Sequence, residues 1–186
     1  MAGEIDDAIE RADRESFTRQ PPKTLKGQIG YLIRQLGSAK AVAQEIGVTA
    51  DSVNRYRRGA RKHARPDVAA KIDAAVRARW QPQVRRRRQR QAATTGGITV
   101  ETRARFGYTA PIGTTDDGRF RRLTVHLPPT YAQRLFNARE AGASEQQMRQ
   151  IIAEGLKETY FQDGGTRATG LSDVTLNDID YLDLDY

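Results

Sequence analysis

Apolar positions recur along this chain in two rhythms. Leu25, Ile29, Leu32, Ile33 and Leu36 fall at helical spacing between a cap at Thr24 and a stop at Gly37. Ala39, Val42, Ala43 and Ile46 form a second helical face, and Gly47 supplies a tight turn. Thr49 then caps a helix that runs through Arg57 with Val53 inward. Pro66 at a first turn begins another helix, with Val68, Ile72, Ala75 or Val76 and Trp80 on its apolar side and a stop near Pro82. The period then changes. Ile98 and Val100 alternate with Thr99 and Glu101, predicting a short strand. Leu123, Val125 and Leu127 alternate with Thr124 and His126, predicting a second strand with one buried face. After Pro128–Pro129, Tyr131, Leu135 and Phe136 mark a short helix broken at Ala141–Gly142. Ser144 and Gln147 are spaced as a capping box for a longer helix bearing Met148, Ile151, Ile152, Leu156 and Tyr160.

Small Ala43, the Gly47 turn, Val48 and Val53 together make a helix-turn-helix pattern. The turn requires a residue that tolerates positive φ, and Ala43 must be small for the helices to approach. With Leu25–Leu36 in front, the expectation is a three-helix unit. Its last helix would present Ala50, Asp51, Asn54 and Arg55 to a major groove, while Arg57, Arg58, Arg61 and Lys62 would suit phosphates. The plain alternative is a helical hairpin with a solvated basic end. Trp80 reads as a packing residue rather than a base-stacking platform, because it falls in helical register.

The expected fold class is mainly α with small β elements. An N-terminal helix-turn-helix bundle is followed by a strand-helix-helix half with the topology of ribbon-helix-helix proteins. The predicted divisions are an extension over 1–22, a DNA-binding domain with an arginine-rich end over 23–91 and a linker over 92–97. A strand and loop follow over 98–119, then the strand-helix-helix unit over 120–170 and an acidic tail over 171–186. A lone strand leaves unpaired edges, so pairing is expected with a second copy of the chain, or with Ile98–Thr102 and the tail within one chain. Arg122, Thr124 and His126 could read DNA from the sheet. The tail, with Asp at 173, 178, 180, 183 and 185, reads as disordered, as an added strand, or as a segment that docks on a basic surface.

Charge narrows the partners. Residues 1–100 carry 21 Lys and Arg against 10 Asp and Glu, whereas residues 101–186 carry 10 against 13. A basic first half favours a polyanion, since each phosphate neutralised releases counterions. Arg85, Arg86, Arg87, Arg88 and Arg90 crowd into one short run that would serve as a phosphate anchor or groove arm. The chain has no cysteine, which removes disulfide and thiolate chemistry. The acidic start has no apolar run, so no signal peptide is expected, and no stretch is long and apolar enough to span a membrane. The two histidines, His63 and His126, are far apart, and no intrinsic metal site or bound cofactor is expected. No phosphate-cradling glycine loop or nucleophile elbow occurs, so no independent enzyme activity is expected either.

One stretch stands apart, YTAPIGTTDDGRF from Tyr108 to Phe120. Its Pro and Gly residues read as turn and loop, displaying Thr109, Thr114 and Thr115 beside Asp116 and Asp117. The adjacent carboxylates suit turn or loop support better than a two-metal site. A hydroxyl on such a loop can take the place of the primer 3′-hydroxyl that attacks an α-phosphate, provided another protein supplies metals and alignment.

The stretches PPKTLKGQIGYL, VRARWQPQVRRRRQRQAATTGGITVETRARFGYTAPIGTTDDGRFRRLT, LPPTYAQRLF, EAGASEQQMRQIIAEGL and NDIDYLDLDY resemble the telomere-protecting terminal proteins of linear Streptomyces chromosomes and plasmids. The resemblance spans nearly the whole chain and is loosest at the N-terminal extension. It implies a protein covalently joined to the 5′ ends of linear replicons that primes end-patching synthesis opposite the telomeric 3′ overhang. Carried over by alignment, the acceptor of the first nucleotide is Thr114, with Thr115 and Thr109 as neighbours. The same resemblance implies a cellular DNA polymerase providing Mg²⁺, dCTP as the first deoxynucleotide, a telomere-associated partner protein, and a nucleoid location in the cytoplasm at replicon ends. The competing expectation is a non-covalent DNA-binding regulator or partition-type protein with a dimerising second half.

Overall fold

Side-chain caps mark the starts of four helices in the computed structural model, which describes residues 3–111, 113–116 and 119–186. The fold is mainly helical with one small antiparallel sheet. Contacts divide the chain into two units, Phe17–Gln83 on one hand and Met1–Ser16 with Val84–Tyr186 on the other. Helix α1 (Glu4–Glu15) belongs to the second unit.

The Phe17–Gln83 unit holds α2 (Leu25–Leu36), α3 (Ala39–Ile46), α4 (Ala50–Arg58) and α5 (Pro66–Arg79). Thr24, Ser38 and Thr49 each accept a hydrogen bond from a backbone N–H of the following first turn, satisfying a donor the helix cannot satisfy itself. Gly47 sits at φ 70° between α3 and α4, a left-handed position that glycine occupies without steric cost. Ile29, Leu32, Val42, Ala43, Ile46, Val53, Tyr56, Val68, Ile72 and Val76 close a single core. Burial of these faces, far more than helix propensity, holds such short helices. The unit carries 14 Lys and Arg against 4 Asp and Glu.

The second unit is built on β1 (Ile98–Ala110), the centre of the sheet. On one side β1 pairs with β3 (Arg121–Leu127) along its first half, and with β2 (Gly113–Asp116) at its far end. On the other side it pairs with β4 (Asp173–Asp185) from Thr99 to Thr109. Val100, Ala104, Phe106, Leu123, Val125, Leu127, Val174, Leu176, Leu182 and Leu184 face a core shared with α1, α7 (Pro129–Glu140) and α8 (Glu145–Leu156). Thr102 is fully buried on that face, and its hydroxyl donates to the Tyr181 carbonyl at 2.8 Å. Gly97 is required where it stands: φ is 71°, and a Cβ there would lie 2.3 Å from the Leu127 carbonyl oxygen.

Several expectations are corrected. Residues 1–22 are not an extension, because Ile5, Ala8 and Ile9 of α1 are fully buried in the sheet unit. The 23–91 domain ends earlier, at Gln83: helix α6 (Pro82–Gln91) carries its arginines into the sheet unit, where Arg85 is buried. Residues 92–97 are no linker. Ala92–Gly96 continues α6 as a π-helical turn that packs beside α7, with Ala92 buried. Of the two pairings expected for the strand-helix-helix segment, the one within the chain is found, with β1. Of the three alternatives expected for the acidic tail, the added strand is the one found. It is β4, the longest neighbour of β1. Tyr160 lies beyond α8, in the π-helical turn Lys157–Phe161, and is exposed.

Candidate functional site

The Tyr108–Phe120 stretch is largely strand. Ala110 and Gly113 pair across a tight turn at Pro111, making β1 and β2 a hairpin. Thr109 pairs with Thr114 and Tyr108 with Thr115, so the two candidate threonines of β2 point to opposite faces. Tyr108 packs edge-on against Phe161, which puts Thr115 on the helix-covered side of the sheet. Thr114 shares the open side with Thr109, and their Oγ1 atoms lie 3.3 Å apart. Thr114 and Thr115 are exposed, and Thr109 is half-buried. The hairpin is anchored at Thr109, whose carbonyl accepts from both the backbone N–H and the hydroxyl of Ser172 at 2.8 Å. Asp116 pairs with Gly107 at the end of β2, while Asp117 lies outside the described residues.

The open face continues from Thr114 along β1. Arg105 and Arg103 extend beside Phe120, with guanidinium carbons 4.7 and 4.9 Å from its ring centre. Each also reaches an acid of β4, Arg103 to Asp180 and Arg105 to Asp178. Arg122 binds Glu101, which accepts from Tyr181 as well; the Arg122 hydrogen bond holds the Glu101 carboxyl below its usual range. Thr124 and His126 are exposed on the same face, and the Thr99 hydroxyl lies 3.1 Å from the His126 ring nitrogen Nδ1. The acids of β4 thus neutralise the arginines of β1. Sequence reading missed Arg103, Arg105 and Phe120, although the alternation of Arg103 and Arg105 with Ala104 and Phe106 carried the signal for the two arginines.

On α4, Asp51 and Arg55 are exposed and bound to each other at 2.8 Å, one helical turn apart. Asn54 is half-buried, and Ala50 packs partly against the core rather than projecting outward. Arg57, Arg58, Arg61 and Lys62 are exposed and carry no ion pair among the described residues. The exposed edge of this helix is therefore Asp51, Arg55 and Arg58, with Arg57 turned aside.

The arginine run does not act as one patch. Arg85 is buried and makes two parallel hydrogen bonds to Glu10, at 3.0 and 3.1 Å, with Asp13 at 3.5 Å. Arg139 reaches Glu10 and Asp6 from α7, and Gln89 and the Tyr186 hydroxyl donate to Asp13. Burial pushes the Asp13 carboxyl up, and it pushes the Tyr186 phenol up in turn. Burial also acts to raise Glu10, but its hydrogen bonds to Arg85 and Arg139 outweigh that and hold it low. Arg88 is half-buried, whereas Arg86, Arg87 and Arg90 are exposed without ion pairs among the described residues. Arg85 is thus corrected from phosphate anchor to structural anchor.

Among the described residues no group of three or more His, Cys, Asp or Glu side chains converges to hold a metal, and no helix is long and apolar enough to cross a membrane. Comparison with protein-family models, curated proteins and solved structures finds no match to this chain.

Proposed function

We propose that this chain is a terminal protein of a linear replicon that primes DNA synthesis through Thr114. The observation that carries the reading is the position of the Thr114 hydroxyl, exposed on the outer strand of a hairpin tip and clear of the helix-packed side. A projecting strand tip can enter a polymerase cleft where a hydroxyl within a packed core cannot. Thr109 supplies a neighbouring hydroxyl that can accept or donate, orienting Thr114 before reaction.

In the reaction, Oγ1 of Thr114 attacks the α-phosphorus of dCTP in line. The bond to the bridging oxygen of the β-phosphate breaks, pyrophosphate leaves with both bond electrons, and the hydroxyl proton passes to a base on the polymerase side. A threonyl phosphodiester forms whose deoxycytidine retains a free 3′-hydroxyl for elongation. The polymerase contributes Mg²⁺ and most of the charge stabilisation. The helix-turn-helix unit holds the telomeric end, and a telomere-associated partner recruits the pair to the overhang. Two features favour Thr114 over Thr115: the alignment behind the resemblance, and the strand parity that turns Thr115 toward the helices.

A non-covalent regulator or partition-type protein is the second reading. It is favoured by the separateness of the strongly basic helix-turn-helix unit. Incubation with α-³²P-labelled dCTP, polymerase, Mg²⁺, partner protein and overhang DNA separates the two. The expected result is alkali-labile label on the wild type and on Thr114→Ser, with none on Thr114→Ala. Equal label on Thr114→Ala would move the acceptor to Thr115 or Thr109, and no label on any form would leave the regulator.

A further inference from the structure

The Phe17–Gln83 unit contains a groove of about 790 Å³ that lies apart from the exposed edge of α4. This volume falls within the range of about 300–1,000 Å³ usual for small-ligand sites. Its walls combine Tyr31 and Trp80 with Lys26, Arg34 and Arg57, and Gly30 opens its floor.

Three features of these walls are unusual for a chance surface depression. The aromatic pair is locked: the Tyr31 hydroxyl donates to the Arg79 carbonyl, the Trp80 indole N–H donates to the Arg19 carbonyl at 2.9 Å, and the ring centres lie 4.9 Å apart. With their polar tips committed to backbone, these rings offer the groove mainly π surface. The three cations carry no ion pair or hydrogen bond among the described residues, although 13 of the other 28 Lys and Arg side chains form ion pairs with acids among those same residues. Gly30 lies inside α2, where glycine costs roughly 0.5–1 kcal/mol against alanine. No neighbour demands it, since the nearest atom to a Cβ built there is the movable Arg34 guanidinium at 3.8 Å. A glycine in this helix, lining the groove, lets a ligand approach the helix backbone closely.

We propose that this groove binds an unpaired nucleotide, its base stacking on the Tyr31–Trp80 pair and its phosphates lying on Lys26, Arg34 and Arg57. Aromatic faces flanked by cations are the general solution for single-stranded nucleic acid, because every base has a π face and every linkage a charge. A paired base is already stacked inside its duplex and cannot use the rings. The groove therefore selects unpaired DNA, whereas the α4 edge has the shape for duplex. The nucleotide could belong to a single strand or be a free deoxynucleoside triphosphate; both present the same base and phosphate.

Trp80 is the only tryptophan in the chain, so its fluorescence reports this site without a label. The intact protein is titrated with a single-stranded deoxycytidine oligonucleotide, with a blunt duplex of equal length, and with dCTP. Saturable quenching by the single strand, well below the concentration at which duplex quenches, is the expected result. Quenching by dCTP at the same low concentration would make the free nucleotide the occupant. Gly30→Leu fills the groove from a position where a side chain fits the helix. It should keep or raise the melting temperature and weaken quenching about tenfold or more. Arg34→Gln with Arg57→Gln should lower the salt slope of single-strand binding by about 1.4. The proposal is overturned if neither single strand nor dCTP quenches Trp80, if duplex quenches equally, or if both groove variants bind as the wild type does. No polymerase or Thr114 chemistry enters this measurement, so its failure and a failure of the priming reading are told apart.

Discussion

Glu10 is the residue on which two halves of the sheet unit meet. It receives both nitrogens of the Arg85 fork and one of Arg139, joining α1 to α6 and α7. Burial alone would raise its pKa, yet the two guanidiniums overcome burial and lower it below the ordinary 4.5. A carboxyl held low in the folded state contributes stability that is complete above its unfolded value and disappears as pH falls through the folded one. Glu10→Gln should therefore cost on the order of 3 kcal/mol at neutral pH, the scale of breaking a partly buried pair. The gap should shrink as the pH is taken below 4.5. Urea unfolding across that range checks it, and a gap that stays constant to low pH would place the effect in packing rather than charge. Asp13 runs the other way. Its raised carboxyl gives up stability as pH rises above 3.8, so the wild-type curve on the acid side is a difference of two opposed slopes.

At the scale of elements, α6 shows how one run of arginines is divided by helical geometry. Arg85 and Gln89 fall one turn apart and face the acids of α1, while Arg86, Arg87 and Arg90 lie on the remaining exposed arc. Replacing Arg86, Arg87 and Arg90 together by Gln should leave thermal unfolding within about 0.5 kcal/mol of wild type, as exposed substitutions do. If these three touch phosphate, the same change should lower the salt slope of duplex binding by about 3. Arg85→Gln should do the opposite, destabilising the fold and leaving the slope alone. A filter-binding titration at several salt concentrations, beside a thermal melt, separates the two roles. The elements that were legible in the sequence are those with local signals: α2, α3, α4 and α8 have caps at Thr24, Ser38, Thr49 and Ser144 and apolar residues at helical spacing. What was hidden depends on distant partners. The stripe of α1 is only Ile5, Ala8, Ile9 and Ala12, and its meaning comes from β4 and α8 more than a hundred residues away. In β4 the register shifts opposite Arg103–Ala104 and Arg105–Phe106, which insert Asp180 and Asn177 and break the alternation that would have announced a strand. The candidate acceptor was legible as a hydroxyl-rich turn, but its pairing with Thr109, and hence its face, required the register of the hairpin.

At the scale of the whole molecule, cations outnumber acids by a larger ratio in the helical unit than in the first hundred residues taken together. The Phe17–Gln83 unit has 14 cations against 4 acids, and the remainder has 17 against 19. If the chain binds duplex, the charge balance assigns most of that attraction to the helical unit, while arginines of the sheet such as Arg103, Arg105 and Arg122 pair with acids of their own unit and the threonine hairpin is exposed. Such a division predicts that the two can fail separately. Val53 is fully buried at the centre of the helical core, and none of its core neighbours belongs to the sheet unit. Val53→Asp places a carboxylate there with no partner, a cost of several kcal/mol that a small core cannot absorb. Hydrogen exchange should then show α2 to α5 unprotected while the β1 amides between Ile98 and Phe106 keep their protection. If the chain primes through Thr114 as proposed, labelling directed by overhang DNA should fall in this variant, while labelling at saturating polymerase without DNA should be retained. Loss of protection in β1 would show that the sheet unit depends on the helical one for its folding. Loss of DNA-independent labelling with β1 intact would place part of the priming apparatus in the helices.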